Sequence, residues 1–150
     1  MTLPRNCIYQ AFILLAPGFI ESTTVSCLQC LREAGFSVGL VSLSAGLTRG
    51  YYGLEVQADC ALSQIRPSAP PQLLIIPDGH EAVATLLADP RVHRLIGQTT
   101  RNEGRIAVMS MAEAALQRAS LLSGANESSF LLQGRMSLQD FISRMVALLL

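Results

Sequence analysis

Short, almost wholly apolar runs recur along the chain, and segments of helix length separate most of them. The runs cover residues 7–15, 37–43, 73–76 and 105–109. Strands that are buried on both faces have this unbroken apolar character, whereas strands with one wet face alternate apolar and polar residues. Strands that alternate with helices favour a parallel sheet with helices on both faces. The sequence therefore predicts an α/β fold.

Helices are predicted between and after these runs, at residues 20–34, 81–87, 90–100, 111–122 and 137–149. The first of them should bury one side that carries Val25, Leu28 and Leu31. Smaller elements are also predicted: a hairpin or two short edge strands within residues 48–57, a brief helix over residues 58–65 and a last strand at residues 129–132. At 150 residues, we expect residues 1–150 to form one domain.

The amino-acid composition bears on which partners the chain can have: another copy of itself, a membrane or a nucleic acid. Half of the residues are apolar and 15% are charged, which suggests exposed apolar surface and hence a homodimer. No apolar run approaches the roughly 20 residues of a membrane span, and the first run is interpreted as a core strand, not a signal peptide. All eleven basic residues are arginines, scattered along a chain without net charge, so nucleic-acid binding is not expected. We expect a cytoplasmic protein.

Ser110 falls directly between a predicted strand and a predicted helix. Many α/β enzymes hold a nucleophile at such a point, where a helix offers free N–H groups and the positive end of its dipole. Ser110 and Glu113 also fit the S-x-x-E capping box, in which each side chain bonds the other residue's backbone N–H. The nucleophile elbow G-x-S-x-G is not matched, because Val108 and Ala112 stand where its glycines would be. We interpret Ser110 as a helix cap.

A ligand pocket is predicted where three of the strands end. In open α/β sheets, ligands bind beyond the carboxyl ends of the strands. The first run and the runs at residues 73–76 and 105–109 bring polar side chains to that edge, Asp78 among them. The expected pocket for a small molecule consists of Glu21, Thr23, Gly79, His80, Ser110 and Glu113. Neither a metal site nor a cofactor is expected.

The order of several segments resembles the ThiJ/PfpI family of the class I glutamine amidotransferase-like superfamily. The segments are AFILLAPGF, GYYGLEVQAD, LLIIPDGH, LADPRV and GRIAVMSMAEAALQRASLLSG. The resemblance covers residues 8–124, and QGRMSLQDFISRMVALL resembles the final strand and helix of the family. It implies a flavodoxin-like, class I glutamine amidotransferase-like parallel sheet, and a homodimer.

The family's catalytic groups are replaced or missing in this sequence. The resemblance places Ser110 at the family's nucleophilic cysteine and Thr23 at its acidic partner, although Glu21 is retained nearby. The family's oxyanion turn P-G-G reads PDG here, at residues 77–79. The segment that carries the family's histidine is absent after Gly124.

Two functions from different classes remain open at this point. The first is a non-catalytic, pseudoenzyme member of the family that acts as a small-molecule sensor, regulatory or interaction module. The second is a hydrolase or deglycase-like enzyme that uses Ser110 with His80 or Glu21. A serine needs a neighbouring base more than a cysteine does, because its hydroxyl is protonated at neutral pH. The missing cysteine and histidine therefore favour the first function.

The four cysteines are expected to be buried, reduced thiols. Cys27 and Cys30 form a C-x-x-C, which is a redox or zinc signature in other settings. Here it falls in the middle of a predicted helix, away from the N-terminus that lowers thiol pKa values, and no second pair completes a zinc site. Cys7 and Cys60 stand beside apolar residues.

Overall fold

The structure, a computed structural model, describes residues 7–122 and 127–150. The strands are β1 Ala11–Leu15, β2 Val38–Ser42, β3 Leu47–Arg49, β4 Glu55–Gln57, β5 Cys60–Ala61, β6 Leu73–Ile76, β7 Arg105–Val108 and β8 Phe130–Leu132. The helices are α1 Glu21–Glu33, α2 His80–Leu87, α3 Pro90–Arg101, α4 Glu113–Arg118 and α5 Leu138–Leu149. Single 3-10 turns form at Leu62–Gln64 and Glu127–Ser129. This order confirms the predicted α/β fold.

Six strands form one parallel sheet in the order β5-β2-β1-β6-β7-β8. Helix α1 contacts α5 and β2, whereas α2 and α3 contact each other and lie on β1, β6 and β7. These two groups of helices give the predicted flavodoxin-like arrangement, with helices on both faces of the sheet. Every residue of β1 and β6, the two central strands, is buried, which explains why their sequences are unbroken apolar runs.

The strand order reverses between β1 and β6. The chain passes from β1 to β2 on one side and later returns to β6 on the other side. In doubly wound sheets this reversal opens a crevice at the carboxyl ends of the two strands, because the loops that follow them leave in opposite directions. The loop at residues 16–20 and the turn at residues 77–79 lie there and position the candidate site.

Helix α1 presents a different side to the core from the one expected. Its buried residues are Thr24, Cys27 and Leu31, whereas Val25 is 44% exposed. Leu28 is half-buried. Leu31 belongs to both the expected set and the buried set of residues, because both follow helical spacing. Packing against β2 and α5 buries the set that contains the hydroxyl of Thr24 and the thiol of Cys27.

Residues 58–65 begin with a strand, not with the predicted helix. Cys60 and Ala61 pair in parallel with Val41 and Ser42 of β2, and the 3-10 turn Leu62–Gln64 follows. Sheet hydrogen bonds with a distant strand override the local helical pattern. Strands β3 and β4 form a separate antiparallel hairpin, as predicted. Across the described ranges 7–122 and 127–150, no helix is long and apolar enough to cross a bilayer.

Two of the four cysteines are joined, so the expectation of four reduced thiols is wrong for Cys7 and Cys60. Their sulfur atoms form a disulfide, and their Cα atoms lie 6.0 Å apart, a usual separation for bridged cysteines. They are 53 residues apart in the sequence, so local spacing gave no sign of the contact. Cys27 and Cys30 are free thiols on α1, as expected, but only Cys27 is buried, whereas Cys30 is half-buried.

Candidate functional site

The turn that follows β7 differs from the predicted capping box. Helix α4 begins at Glu113, with Ala112 as its N-cap residue and no side-chain hydrogen bond at the cap. Ser110 stands before the helix, in the turn, and its side chain is exposed. The interpretation of Ser110 and Glu113 as a reciprocal cap is therefore wrong.

Side chains from two other loops bond the backbone of this turn. The N–H of Ser110 donates to Oε1 of Gln133 at 3.0 Å, and the N–H of Met111 donates to Oδ1 of Asp78 at 3.0 Å. Gln133 is itself held, because its Nε2 donates to the carbonyl of Met136 at 3.2 Å. Since these N–H groups have acceptors outside the helix, the helix starts two residues later and the serine hydroxyl is not needed as a cap.

The backbone at Ser110 lacks the strain of a nucleophile elbow. In the described residues, the only non-glycine positions with positive φ are Glu103 and Ser120, at 64° and 58°. A nucleophile elbow holds its serine on a sharp, strained turn between strand and helix. Ser110, which the resemblance places at the family's nucleophile, therefore lacks that geometry.

Asp78 links the turn after β6 to its neighbours. Its side chain is 5% exposed and bonds Met111, while its carbonyl accepts the N–H of Ile20 at 3.1 Å. The next residue, Gly79, has φ of 121°, and a Cβ on it would lie 2.5 Å from the carbonyl oxygen of Gly18. The loops after β1, β6 and β7 are therefore tied together at one edge of the sheet, where the sequence predicts that they meet.

Glu21 anchors the β3–β4 hairpin. Its carboxylate accepts the N–H of Tyr52 at 2.9 and 3.1 Å and the N–H of Leu54 at 3.1 Å. Desolvation acts to raise the pKa of Glu21, but the hydrogen bonds from Tyr52 and Leu54 outweigh it, and the pKa lies below its usual value. The carboxylate of Glu21, which the resemblance gives as a retained acidic residue, thus accepts hydrogen bonds from backbone amides.

The other predicted pocket residues are positioned near this edge but are not joined to one another. The hydroxyl of Thr23 donates to the carbonyl of Ile20, one turn back, at 3.4 Å. His80 opens α2 and is exposed, whereas Glu113 opens α4 and is half-buried. Within the described ranges, no side-chain hydrogen bond connects Ser110 with His80 or Glu113. A serine nucleophile and its base would need such a contact.

Helix α1 buries a thiol and a hydroxyl group. Burial, followed by the charge of Asp78 and the neighbouring Cys30, raises the pKa of Cys27 to about 12. The buried hydroxyl of Thr24, one turn away on α1, has no hydrogen-bond partner among the residues that the structure describes. In the part of the chain that the structure describes, no three side chains of the metal-ligating types converge.

Gln133, which is 9% exposed and completes the site, is not among the predicted site residues. Its position in the sequence could have indicated this role. Gln133 is a polar residue directly after the last predicted strand, and the carboxyl end of that strand lies at the same edge of the sheet as Asp78. Asp78 itself was placed at this edge but not among the expected pocket residues. Both side chains reach the turn after β7 because β6, β7 and β8 are neighbours in the sheet.

Solved structures with the same architecture come from the DJ-1 and ThiJ/PfpI proteins. A cysteine-to-alanine mutant of a DJ-1 superfamily protein from Salmonella typhimurium is 22% identical, with a TM-score of 0.79 over 93% of this chain and 89% of that one. Oxidized DJ-1 from Toxoplasma gondii is 18% identical, with a TM-score of 0.82 over 94% and 90% of the two chains. DJ-1beta from Drosophila melanogaster is 18% identical, with a TM-score of 0.80 over 95% and 90%.

At these identities the structural matches establish the fold alone. None of the curated proteins is significantly similar in sequence. The sequence profile of the DJ-1/PfpI family matches residues 9–139, which include every strand described above and the first two residues of α5. This match confirms the resemblance on which the candidate site was predicted, and the chain belongs to the DJ-1/PfpI family.

Proposed function

We propose that this chain is a non-catalytic member of its family, acting as a small-molecule sensor, regulatory or interaction module. One observation carries the proposal: the N–H groups of Ser110 and Met111 are already bonded to Gln133 and Asp78. Stabilising an oxyanion requires preorganised donors that point at the developing negative charge. Here the chain's own acceptors occupy those donors, and the carboxylate of Asp78 would repel an oxyanion.

The environment of Ser110 also supports the proposal. A serine hydroxyl becomes a nucleophile when a positioned base removes its proton. Glu21 is the retained acidic residue, and its carboxylate is bonded to the hairpin amides of Tyr52 and Leu54. His80 is exposed at the start of α2 and has no hydrogen bond to Ser110 in the described part of the chain. Hydrolase or deglycase-like chemistry at Ser110 is the alternative that the experiment below addresses.

We propose a small polar molecule, uncharged or cationic, as the ligand. The pocket residues offer His80, Ser110 and Glu113 as groups that a ligand could contact, since none of their side chains is bonded elsewhere in the described ranges. Glu21, Thr23 and Gly79 would form the wall, since they are fixed by backbone contacts. Asp78 and Glu113 bring negative charge to the same edge, which disfavours anions.

The test of this function restores the family's cysteine by Ser110→Cys. We expect the new thiol to be alkylated at the rate of an ordinary exposed thiol and to give no amidase or deglycase-like turnover, because no base or free oxyanion donor activates it. Ser143→Cys on α5 is the matched control, since Ser143 is also an exposed serine. Peptide mapping by mass spectrometry separates each new thiol from the native ones.

Two results would contradict the proposal. One is turnover by the Ser110→Cys variant, or alkylation about 100-fold faster than that of the Ser143→Cys control. The other is covalent labelling of Ser110 in the unaltered protein by a serine-directed probe. Adding Asp78→Gly to Ser110→Cys reproduces the family's oxyanion turn. Turnover that appears only in this double variant would support the role assigned to Asp78.

We also propose that the chain forms one domain and assembles as a homodimer through the hairpin. Four large apolar side chains are exposed there: Leu47 at 62%, Tyr51 at 66%, Tyr52 at 80% and Leu54 at 49%. The two tyrosine rings pack edge to face with centroids 5.0 Å apart. Apolar surface that is contiguous and exposed in one copy is a usual site for association.

Sedimentation tests the dimer. We expect a dimer at micromolar concentration and a shift to monomer in Tyr52→Ser, since aromatic side chains at the centre of an interface contribute most to association. Leu148→Ser on α5 is the control, because Leu148 is also exposed but lies outside the hairpin. A monomer in the unaltered protein, or equal dissociation in both variants, would argue against this interface.

A further inference from the structure

The segment before β1 crosses the face of the sheet towards its edge. We refer to residues 7–9 as the N-terminal strap. At one end Cys7 is bonded to Cys60 in β5. At the other end the ring of Tyr9 covers Gly39 of β2, where an added Cβ would lie 2.5 Å from the ring. Strand β2 lies between β1 and β5 in the sheet. The strap therefore crosses β2 on its way from β1 to the disulfide in β5.

The disulfide supports the least extensive pairing in the parallel sheet. Strand β5 has two residues and pairs with β2 through Cys60 and Ala61 alone. The preceding Asp59 adds two bonds to Leu40: its N–H donates to the carbonyl of Leu40 at 2.9 Å, and its Oδ2 accepts the N–H of Leu40 at 2.7 Å. A covalent bond to Cys7 therefore adds a constraint where few backbone hydrogen bonds exist. It also closes a loop that contains β1, α1, β2 and the hairpin.

We propose that Cys7 and Cys60 form a redox-controlled cross-link that fixes the N-terminal strap to the edge of the sheet. In the oxidised protein the two sulfurs are joined. In the reduced protein the strap is held by non-covalent packing, including that of the Tyr9 ring on Gly39, and β5 by its pairing with β2. The cross-link therefore couples the stability of this edge to the thiol–disulfide balance around the protein.

A small-molecule disulfide serves as the oxidant that forms the bond. The thiolate of one cysteine attacks that disulfide and releases the first small thiol, which leaves a mixed disulfide. The thiolate of the second cysteine then displaces the other small thiol. The protein loses two electrons and two protons, and the oxidant becomes two thiols. A small dithiol reverses both steps.

The burial of Cys7 and Cys60 limits the rate of thiol–disulfide exchange with small thiols. Cys7 is 1% exposed and Cys60 is 5% exposed, so a small thiol reaches the sulfurs only when the strap opens. We therefore expect slow exchange in the native protein and fast exchange after unfolding. Cys27 and Cys30 lie on one helix, away from this pair in the sequence, and remain free thiols. They serve as internal controls.

The experiment compares the full chain after incubation with oxidised glutathione and after reduction with dithiothreitol. Each sample is unfolded, alkylated with iodoacetamide and mapped by mass spectrometry. The oxidised sample should carry label on Cys27 and Cys30 only and yield a linked peptide that contains Cys7 and Cys60. The reduced sample should carry label on all four cysteines.

Thermal unfolding provides the second readout. We expect the oxidised protein to melt roughly 5–10 °C above the reduced protein, because the link closes a long loop in the unfolded chain. Cys60→Ser should remove this difference, and Cys30→Ser, the matched control, should retain it. Cys7→Ser replaces Cys60→Ser if the latter does not fold.

Three results would overturn the proposal. The first is label on all four cysteines after oxidation, and the second is a link that joins Cys27 to Cys30. The third is an equal melting temperature for the oxidised and reduced forms of the unaltered protein. Retention of the temperature difference in Cys30→Ser and its loss in Cys60→Ser support the proposal.

Discussion

Gly79→Ala is expected to lower the free energy of unfolding by more than about 3 kcal/mol. Two costs add at this position. The φ of 121° lies in a region that L side chains rarely adopt, and the new Cβ would lie 2.5 Å from the carbonyl oxygen of Gly18 and 3.2 Å from the Cα of Phe19. Both neighbours are backbone atoms, so relief requires the loop after β1 to move. Urea unfolding of the purified protein measures the loss.

Gly35→Ala is the matched control for this prediction. Gly35 follows α1 with φ of +93°, and an added Cβ there would meet nothing within 4 Å. Only the conformational cost remains, about 1–2 kcal/mol. Equal losses in the two variants would show that the close approach of Gly18 to Gly79 contributes nothing. A small loss in both would contradict the backbone geometry at residue 79.

Asp78→Ala is expected to lower the free energy of unfolding by about 1–3 kcal/mol, because it removes the acceptor for the N–H of Met111. Asp78→Asn is the control. Its amide oxygen can replace Oδ1, so we expect a loss of less than about 1 kcal/mol. A comparable loss in both variants would mean that the charge of Asp78, and not the hydrogen bond to Met111, stabilises the turn.

The Asp78→Asn variant also tests how the charge of Asp78 affects the pKa of Cys27. Asp78 is the second cause, after burial, of the raised pKa of that thiol. Removal of its charge in Asp78→Asn should therefore lower the pKa of Cys27 and increase the thiolate fraction at a given alkaline pH. Alkylation of Cys27 should become faster, while alkylation of Cys30 provides the reference. An unchanged rate would contradict the electrostatic link between α1 and the turn after β6.

The sheet could be predicted from the sequence because each central strand is marked by an unbroken apolar run within its own few residues. A strand that is covered by helices on both faces must be apolar at every position, and β1 and β6 meet that demand with five and four buried residues. The order of strands and helices then follows from the separation of such runs. The predicted strand at residues 73–76 coincides with β6.

The details of the site depend on distant contacts and could not be predicted in this way. The capping box at Ser110 is locally reasonable, but Asp78 and Gln133 bond the same turn from 33 and 23 residues away. The Cys7–Cys60 bond spans 53 residues. On α1, the two candidate stripes share Leu31 and differ at their other two residues, and contact with β2 and α5 buries Thr24 in place of Val25. Such choices are made by tertiary packing.

The short outer strands of the sheet have a consequence for aggregation. Strand β5 contains two residues and β8 contains three, so each outer edge offers few unpaired N–H and C=O groups. A second chain that approached either edge could form only a few ladder hydrogen bonds, and long flat edges are the ones that recruit such chains. The strongly apolar strands β1 and β6 lie in the centre, where a neighbour already pairs with each side. The folded protein is thereby protected against edge-to-edge fibre growth.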